Sequence, residues 1–460
     1  MTLARNVLAP ESKAAVCRPA GRLGFGFGRR CFLLLLIGTL WAVPAFWERR
    51  FLLVMAGWDA LVVLAWIVDL LRLPTPARFR AQRSWSGPVS LNSSVDVMLE
   101  LENQSNLAVE CTQFLDDMPE FLREPAFLEL KVPPRGSATL SYSVRPRRRG
   151  DVGLGQIYFR YQSPAGFAER WAYADLRQTI RIYPDLEEAR RHNIYLTRAR
   201  QIELQKRLVR QRGMGRDFES LREYVEGDEF RNICWSATAR RGKHVTRLYQ
   251  VERSQPVWIV IDAGRLLRAR VGDLSKLDLA ANAALSLAQI ALYSGDRVGL
   301  VIYGRKVQRR VTLGRGTAHM RAIMDALAAA QEEPAEADHL LAAAALLQLQ
   351  KQRSLIVWIT DLADTSMTPE VIESASQILS KHLLLFTVIA QRDLQALAAS
   401  YPRDAEHMYQ IAAAQEIVQR REALLSRVRE KGALTLEVSP NKLTTILVNQ
   451  YLEAKERSLI

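Results

Sequence analysis

Cysteine is scarce. The 460 residues hold four, Cys17, Cys31, Cys111 and Cys234, far apart and without a CxxC pair. That spacing excludes a disulfide framework and a zinc knuckle, and leaves buried, reduced thiols as the expected state. Histidine is nearly as sparse: His192, His244, His319, His339, His382 and His407 are scattered and form no HExxH. GxSxG, GK[ST] and a strand–GxGxxG–helix unit are also missing, so the local signatures of a zinc protease, a nucleophile-elbow hydrolase and a phosphate-binding loop are absent. A triad assembled from distant positions stays open, but the expected class is an interaction module and not an enzyme. Acidic charge is short as well. Asp plus Glu number 49 against 63 Lys plus Arg, a formal net charge of +14 and a pI near 9.8. Such an excess suits nucleic acid, anionic lipid or an acidic protein partner.

Long apolar runs are present. Residues 31–47 read CFLLLLIGTLWAVPAFW and residues 51–71 read FLLVMAGWDALVVLAWIVDLL, each near the roughly 20 residues that cross a bilayer. Only Glu48, Arg49 and Arg50 separate them, which predicts a two-helix transmembrane hairpin. A signal peptide is the competing reading of the first run; the long lead, the second run and the lack of a small-x-small site argue against it. Trp41, Trp47, Trp58 and Trp66 suit an interfacial belt or interhelix packing. Asp59 is expected to face the partner helix or lie shallow, and Asp69 to reach the headgroups. Arg5, Lys13, Arg18, Arg22, Arg29 and Arg30 precede the hairpin, and Arg72, Arg78, Arg80 and Arg83 follow it. Basic flanks on both sides predict that both termini and the soluble domains are cytoplasmic, at the plasma (inner) membrane of a bacterium, with residues 1–30 a basic tail beside anionic lipid.

The soluble chain changes rhythm three times. Residues 84–184 carry short β-branched and aromatic runs, VDVMLEL, AVECTQFL, SATLSYSV and QIYFRYQS, separated by turn clusters, which predicts a small β-sandwich. Residues 185–253 form a junction. Its first part, 185–212, reads as an arginine-rich linker helix entered by Asp185; without a recognised module it does not point to nucleic acid. The second part interleaves charges and aromatics, with Arg222, Tyr224, Gly227, Asp228, Arg231, Trp235 and Arg240 as its marked residues. Segment 228–241 is expected to be a helix with Asp228 at its start, Trp235 as an apolar anchor and Arg231 paired with a carboxylate. Two roles are open: an ion-pair network tying the segment to the next domain, or a docking surface for a partner.

From 254 to 460 apolar strands alternate with helices. VWIVID, VGLVIYG, SLIVWITD and HLLLFTVIA are continuous apolar runs, as expected of parallel strands buried on both faces. An open, mostly parallel, doubly wound α/β sheet follows, with Asp262 and Asp361 at carboxyl ends of strands, where such sheets bind ligands.

The stretch DFESLREYVEGDEFRNICWSATARRGKHVTRLYQVERS (217–254) resembles the signature of domain-of-unknown-function family 58, with RRGDVGLGQIYFRYQSPAGF (148–167) and VNQYLEAK (448–455) in support. That family is von Willebrand factor A-like and is often encoded beside MoxR-type AAA+ ATPases. The resemblance implies a von Willebrand factor A-like fold and a MoxR-type ATPase as partner in protein complex assembly or maturation; it brings no catalytic residues. Related A-domains hold a divalent ion through DxSxS, a Thr and an Asp, and grip a partner carboxylate with it. Here the first motif is Asp262-Ala263-Gly264-Arg265-Leu266, so both hydroxyl ligands are missing. Asp262 and Asp361 remain as a weak, degenerate Mg²⁺ site, with Asp364 and Thr365 nearby, and Arg265 is expected to neutralise one carboxylate in place of a metal. No cofactor is expected. Metal-dependent adhesion, a hydrolase, and a lipid or nucleic-acid binder are the alternatives.

Overall fold

Strands from both sides of the apolar stretch belong to the same sheets. In the computed structural model, which describes residues 9–21, 24–122, 129–189, 191, 217–225, 230, 233–250, 254–362 and 368–457, the chain divides into two units, Met1–Leu186 and Glu187–Ile460. In the first unit β1 (Lys13–Val16), β2 (Arg18–Pro19) and β3 (Phe25–Phe27) precede the helices α1 (Arg29–Thr39), α2 (Ala42–Ala45) and α3 (Arg50–Arg72). After them come β4 (Phe79–Trp85), β5 (Val95–Asn103), β6 (Val109–Asp116), β7 (Leu130–Val132), β8 (Ser137–Val144), β9 (Gly150–Leu154), β10 (Ile157–Gln162), β11 (Ala168–Ala174) and β12 (Gln178–Ile182). One sheet has the order β1-β4-β5-β8 and the other β2-β11-β10-β6-β7, with β3 also on β11; β9 and β12 form a separate ribbon. Lys13–Val16, Arg18–Pro19 and Phe25–Phe27, expected to belong to a separate tail, are therefore part of the sandwich.

Alternation makes these sheets two-faced. Along β5, Val95, Val97, Leu99 and Leu101 point inward while Asp96, Met98 and Glu100 point outward, the period-2 pattern of a half-buried strand. The inward residues pack with Phe114, Phe159, Tyr161 and Ala172 from the second sheet.

The first apolar run does not form one helix. Pro44 has no N–H for the carbonyl of residue 40, and its ring crowds that turn; Leu40 and Trp41 instead donate to Ile37 and Gly38 at 3.1 Å, in tight i–3 turns. The chain is thus helical over Arg29–Thr39 and again over Ala42–Ala45. Among the described residues one helix, in the stretch Arg50–Arg78, is long and apolar enough to span a membrane. α3 itself has 23 residues, about 34 Å. α1 packs on α3: Trp58 Nε1 donates to Leu34 O at 2.9 Å, and a Cβ on Gly38 would lie 2.5 Å from Asp59 Oδ1. Asp59 therefore faces the neighbouring helix, as its cost in lipid demands.

Two charged residues lie elsewhere than expected. Asp69 does not reach for headgroups: it accepts from Ser163 Oγ at 2.6 Å and from the N–H groups of Phe167 and Ala168 at 3.0 and 2.9 Å. A loop with free N–H donors is a stronger partner for a carboxylate than an exposed position. Arg83 is not a surface flank but fully buried in the sandwich, paired with Asp116.

The second unit opens with the hairpin β13 (Asp217–Glu223) and β14 (Val245–Gln250), antiparallel, with α4 (Trp235–Arg241) between them. The linker helix expected over 185–212 lies outside the described residues beyond Arg191, as do Gly227, Asp228, Arg231, Asp364 and Thr365. Next come β15 (Pro256–Asp262), the ribbon of β16 (Arg270–Val271) and β17 (Leu274–Ser275), α5 (Lys276–Tyr293), β18 (Arg297–Tyr303), β19 (Val307–Gly314), α6 (Gly316–Ala328) and α7 (His339–Leu349). The chain continues through β20 (Leu355–Thr360), α8 (Thr368–Leu379), β21 (Leu383–Ile389), α9 (Arg392–Ala398), α10 (Ala405–Glu430), β22 (Leu434–Val438) and α11 (Leu443–Glu456). The six-stranded sheet has the order β19-β18-β15-β20-β21-β22, parallel except for the edge strand β19. Helices α7, α8 and α10 cover one face through Leu346, Ile378 and Leu425 over Trp258, Trp358 and Phe386. α5 packs on β15 and β18, with α6 and α11 against it.

Candidate functional site

β15 and β20 run parallel as neighbours, with Ile261 beside Ile359. Their carboxyl ends bring Asp262 and Asp361 together although 99 positions separate them in sequence, and both are buried. Thr360, between them, donates its hydroxyl to Asp262 Oδ2 at 2.7 Å, and the Gly264 N–H donates to Asp262 Oδ1 at 2.7 Å.

Two cations reach Asp361. Lys276 is the first residue of α5, held there by a capping box between Ser275 and Asp278. Its Nζ lies 2.5 Å from Asp361 Oδ2. Arg421, from the middle of α10, pairs with Asp361 Oδ1, donates through Nε to Leu362 O at 2.9 Å and reaches Glu437 at 3.4 Å. Both cations are buried, 2% and 6% exposed. Arg265, expected to neutralise the carboxylates, instead points outward and pairs with exposed Glu336 at 2.7 Å. Its backbone is committed to the loop of Ala335 by a 2.8 Å hydrogen bond, which turns its side chain to solvent.

Lys276 and Arg421 were not marked as site residues by the sequence. Arg421 left no local signal. Lys276 left one: a cation in the first turn of a helix opposes the helix dipole, and such a placement needs a carboxylate from outside the helix.

Burial pushes the Asp262 carboxyl up to about 6, with Asp361 and Glu333 adding to the rise and the donors Thr360 and Gly264 opposing it. In the same unit burial lowers His339 to about 4. Its Nδ1 is 2.9 Å from Tyr303 Oη, which also accepts from Trp358 Nε1 at 2.7 Å. The two shifts act on stability with opposite signs. Asp262 titrates higher folded than unfolded, so its contribution is full below about pH 4 and lost as pH rises through about 6. His339 titrates lower folded than unfolded, so its contribution is full above about pH 6.5 and lost as pH falls through about 4. Each is worth about 3 kcal/mol at most, and between about pH 4 and 6 they offset. The full-length protein should therefore show a melting temperature nearly flat across that window. Asp262→Asn should make it fall on acidification, and His339→Gln should make it fall on alkalinisation. Three parallel profiles in a fluorimetric pH series would refute this assignment.

Among the described junction residues, Tyr224 and Trp235 meet around His244. Arg222 lies on β13 and donates to Glu223 O at 3.3 Å, and Arg240 is exposed on α4. Tyr224 touches Phe230 and His244 at ring distances of 5.9 and 6.3 Å, and Trp235 meets His244 edge-on at 6.3 Å. Trp235 is 65% and Phe230 75% exposed, so Trp235 is not the buried anchor expected. Ile233 pairs with Thr246 and the Cys234 N–H donates to Val245 O at 2.8 Å. That pairing delays the helix until residue 235 and puts Ile233, Cys234 and Val245 inside in place of Trp235.

Uncharacterized proteins of Mycobacterium bovis and Mycobacterium tuberculosis are 28% identical over 151 residues, 32% of this chain and 48% of theirs. The chain thus spans about half the length of the curated relatives it matches. Among solved structures, a conserved hypothetical protein BatB from Bacteroides thetaiotaomicron aligns over 44% of this chain and all of its own, at 14% identity and a TM-score of 0.29. The pilus adhesin SpaC from Lactobacillus rhamnosus GG aligns over 45% of this chain and 31% of its own, at 10% identity and a TM-score of 0.34. Residues 220–431, which run from β13 through both aspartates and Arg421, match the family described as protein of unknown function DUF58.

Proposed function

We propose that this protein is a membrane-anchored interaction module, with a von Willebrand factor A-like α/β unit facing the cytoplasm and docking a partner protein. By family resemblance that partner is a MoxR-type AAA+ ATPase acting in complex assembly or maturation. The observation that carries the anchoring is strand pairing across the apolar stretch. β1 pairs with β4, Lys13 opposite Arg83, while α1 to α3 intervene. A single crossing by α3 would put these paired strands on opposite sides of the bilayer, so the reading requires that the chain return to the side it left, as a hairpin at the inner membrane. Basic flanks support the cytoplasmic side. The docking half rests on the exposed Phe230 and Trp235, since exposed aromatics at a cluster are the residue types that anchor protein contacts.

Two measurements test the two halves. Reporters fused after residue 85 and at the N-terminus should both read cytoplasmic, and a split result ends the hairpin reading. Full-length Trp235→Ala and Phe230→Ala, in nanodiscs, should lose affinity for a purified MoxR-type ATPase by tenfold or more without a change in melting temperature. Unchanged affinity would remove this cluster from the docking surface.

A further inference from the structure

A-domains with an intact DxSxS motif hold a divalent ion at the carboxyl edge of the sheet, and the present donor set does not fit one. Both oxygens of Asp262 are engaged by the Thr360 hydroxyl and the Gly264 N–H. Those of Asp361 are engaged by Lys276, Arg421 and the Leu362 N–H. Mg²⁺ requires about six oxygens in near-octahedral array, and among the described residues no group of three or more His, Cys, Asp or Glu stands ready to hold an ion. A second observation points the same way. Gly264 occupies the position of the first motif serine, and a Cβ there would lie 2.8 Å from Ala337 N and 3.0 Å from Ala337 Cβ. The loop around residues 335–337 packs over that position, and the Arg265 N–H bonds to Ala335 O at 2.8 Å. A serine cannot be restored without moving that loop.

We infer that Lys276 and Arg421 are the resident cations of this edge: they supply covalently the positive charge that a divalent ion supplies in intact A-domains, and they make the site metal-independent. An ammonium and a guanidinium do for Asp361 what a metal would do, neutralising it without water in a buried place. They also join elements that an ion alone would leave separate, since Lys276 belongs to α5, Arg421 to α10 and Glu437 to β22. Any partner held at this edge meets carboxylates already paired with buried cations, and metal cannot bridge to a partner carboxylate. This inference goes beyond the docking proposal and does not depend on it, because it rests on the side chains around Asp262 and Asp361 alone.

The test uses full-length protein in detergent with Mn²⁺ as probe. Electron paramagnetic resonance of free Mn²⁺ should be unchanged by the wild-type protein, and its melting temperature should be the same in chelator, Mg²⁺ and Mn²⁺. Lys276→Ala/Arg421→Gln, which exposes two neighbouring carboxylates without their cations, should take up Mn²⁺ with loss of the free-ion signal and gain several degrees of melting temperature on its addition. Micromolar binding of Mn²⁺ by the wild type that vanishes in Asp262→Asn overturns the inference, and so does a folded double variant indifferent to Mn²⁺. Should the double variant not fold, the wild-type titration with its Asp262→Asn control decides alone.

Discussion

Asp361→Ala should destabilise the α/β unit by about 3–5 kcal/mol, the largest effect expected of any single substitution in it. The carboxylate is 4% exposed and stands between two buried cations. Its removal strands Lys276, whose side chain is 3% exposed, in a low-dielectric site where a bare ammonium is costly to keep charged. Arg421 keeps Leu362 O and Glu437, so Lys276 carries most of the loss. The effect is chiefly the exposure of an uncompensated charge and not the loss of a favourable pair. Lys276→Met, which leaves the Arg421–Asp361 pair intact, should therefore cost clearly less, and Lys276→Met combined with Asp361→Asn should recover part of the single loss. Scanning fluorimetry of the full chain reads this as a fall of roughly 10 °C for Asp361→Ala. A melting temperature within a degree or two of wild type would mean that the cluster is solvated and the pairing unimportant.

Asp116→Ala should act comparably on the sandwich, again by about 3–5 kcal/mol. Arg83 and Asp116 are both fully buried there. Arg83 Nε donates to Asp116 Oδ2 at 3.2 Å and Nη1 to Leu176 O at 3.0 Å, while Tyr142 Oη donates to Asp116 Oδ2 at 2.5 Å. Alanine at 116 removes the charge partner of the guanidinium and the acceptor of the tyrosine together. Replacing both ions, as Arg83→Met with Asp116→Leu, removes the desolvation problem and should return most of the stability. The contrast between the single and double variants is the diagnostic, read by limited proteolysis of the strand region 79–183 and by melting temperature. A double variant as unstable as Asp116→Ala would show that the network's geometry, and not its charge, holds the two sheets.

Much of the architecture was legible because it depends on patterns a few residues long. Continuous apolar runs of six or seven residues between turn signals suit strands covered on both faces, and Pro256–Asp262, Leu355–Thr360 and Leu383–Ile389 are such strands. The alternation in 95–101 marked a half-buried strand in the same way. Where local pattern failed, a specific contact intervened. Pro44 broke an apolar run that hydropathy alone reads as one span. The pairing of Ile233 with Thr246 keeps residue 233 out of the helix that starts at Trp235, and Trp235 faces outward.

The sequence by itself determined the kinds of element, their order, the placement of Asp262 and Asp361 at strand ends and the loss of the hydroxyl ligands beside Asp262. Only the tertiary structure decided what those carboxylates meet. Lys276 lies 85 and Arg421 60 positions from Asp361, on helices whose own periodicity carries no record of a partner across the sheet. The same holds for residues 13–19 and 25–27, whose pairing with strands beyond the apolar helices depends on how the chain returns. Periodicity reports which face of an element is buried, because burial repeats with the element's own pitch; it does not report which distant charge waits on that face, because nothing local repeats with that contact.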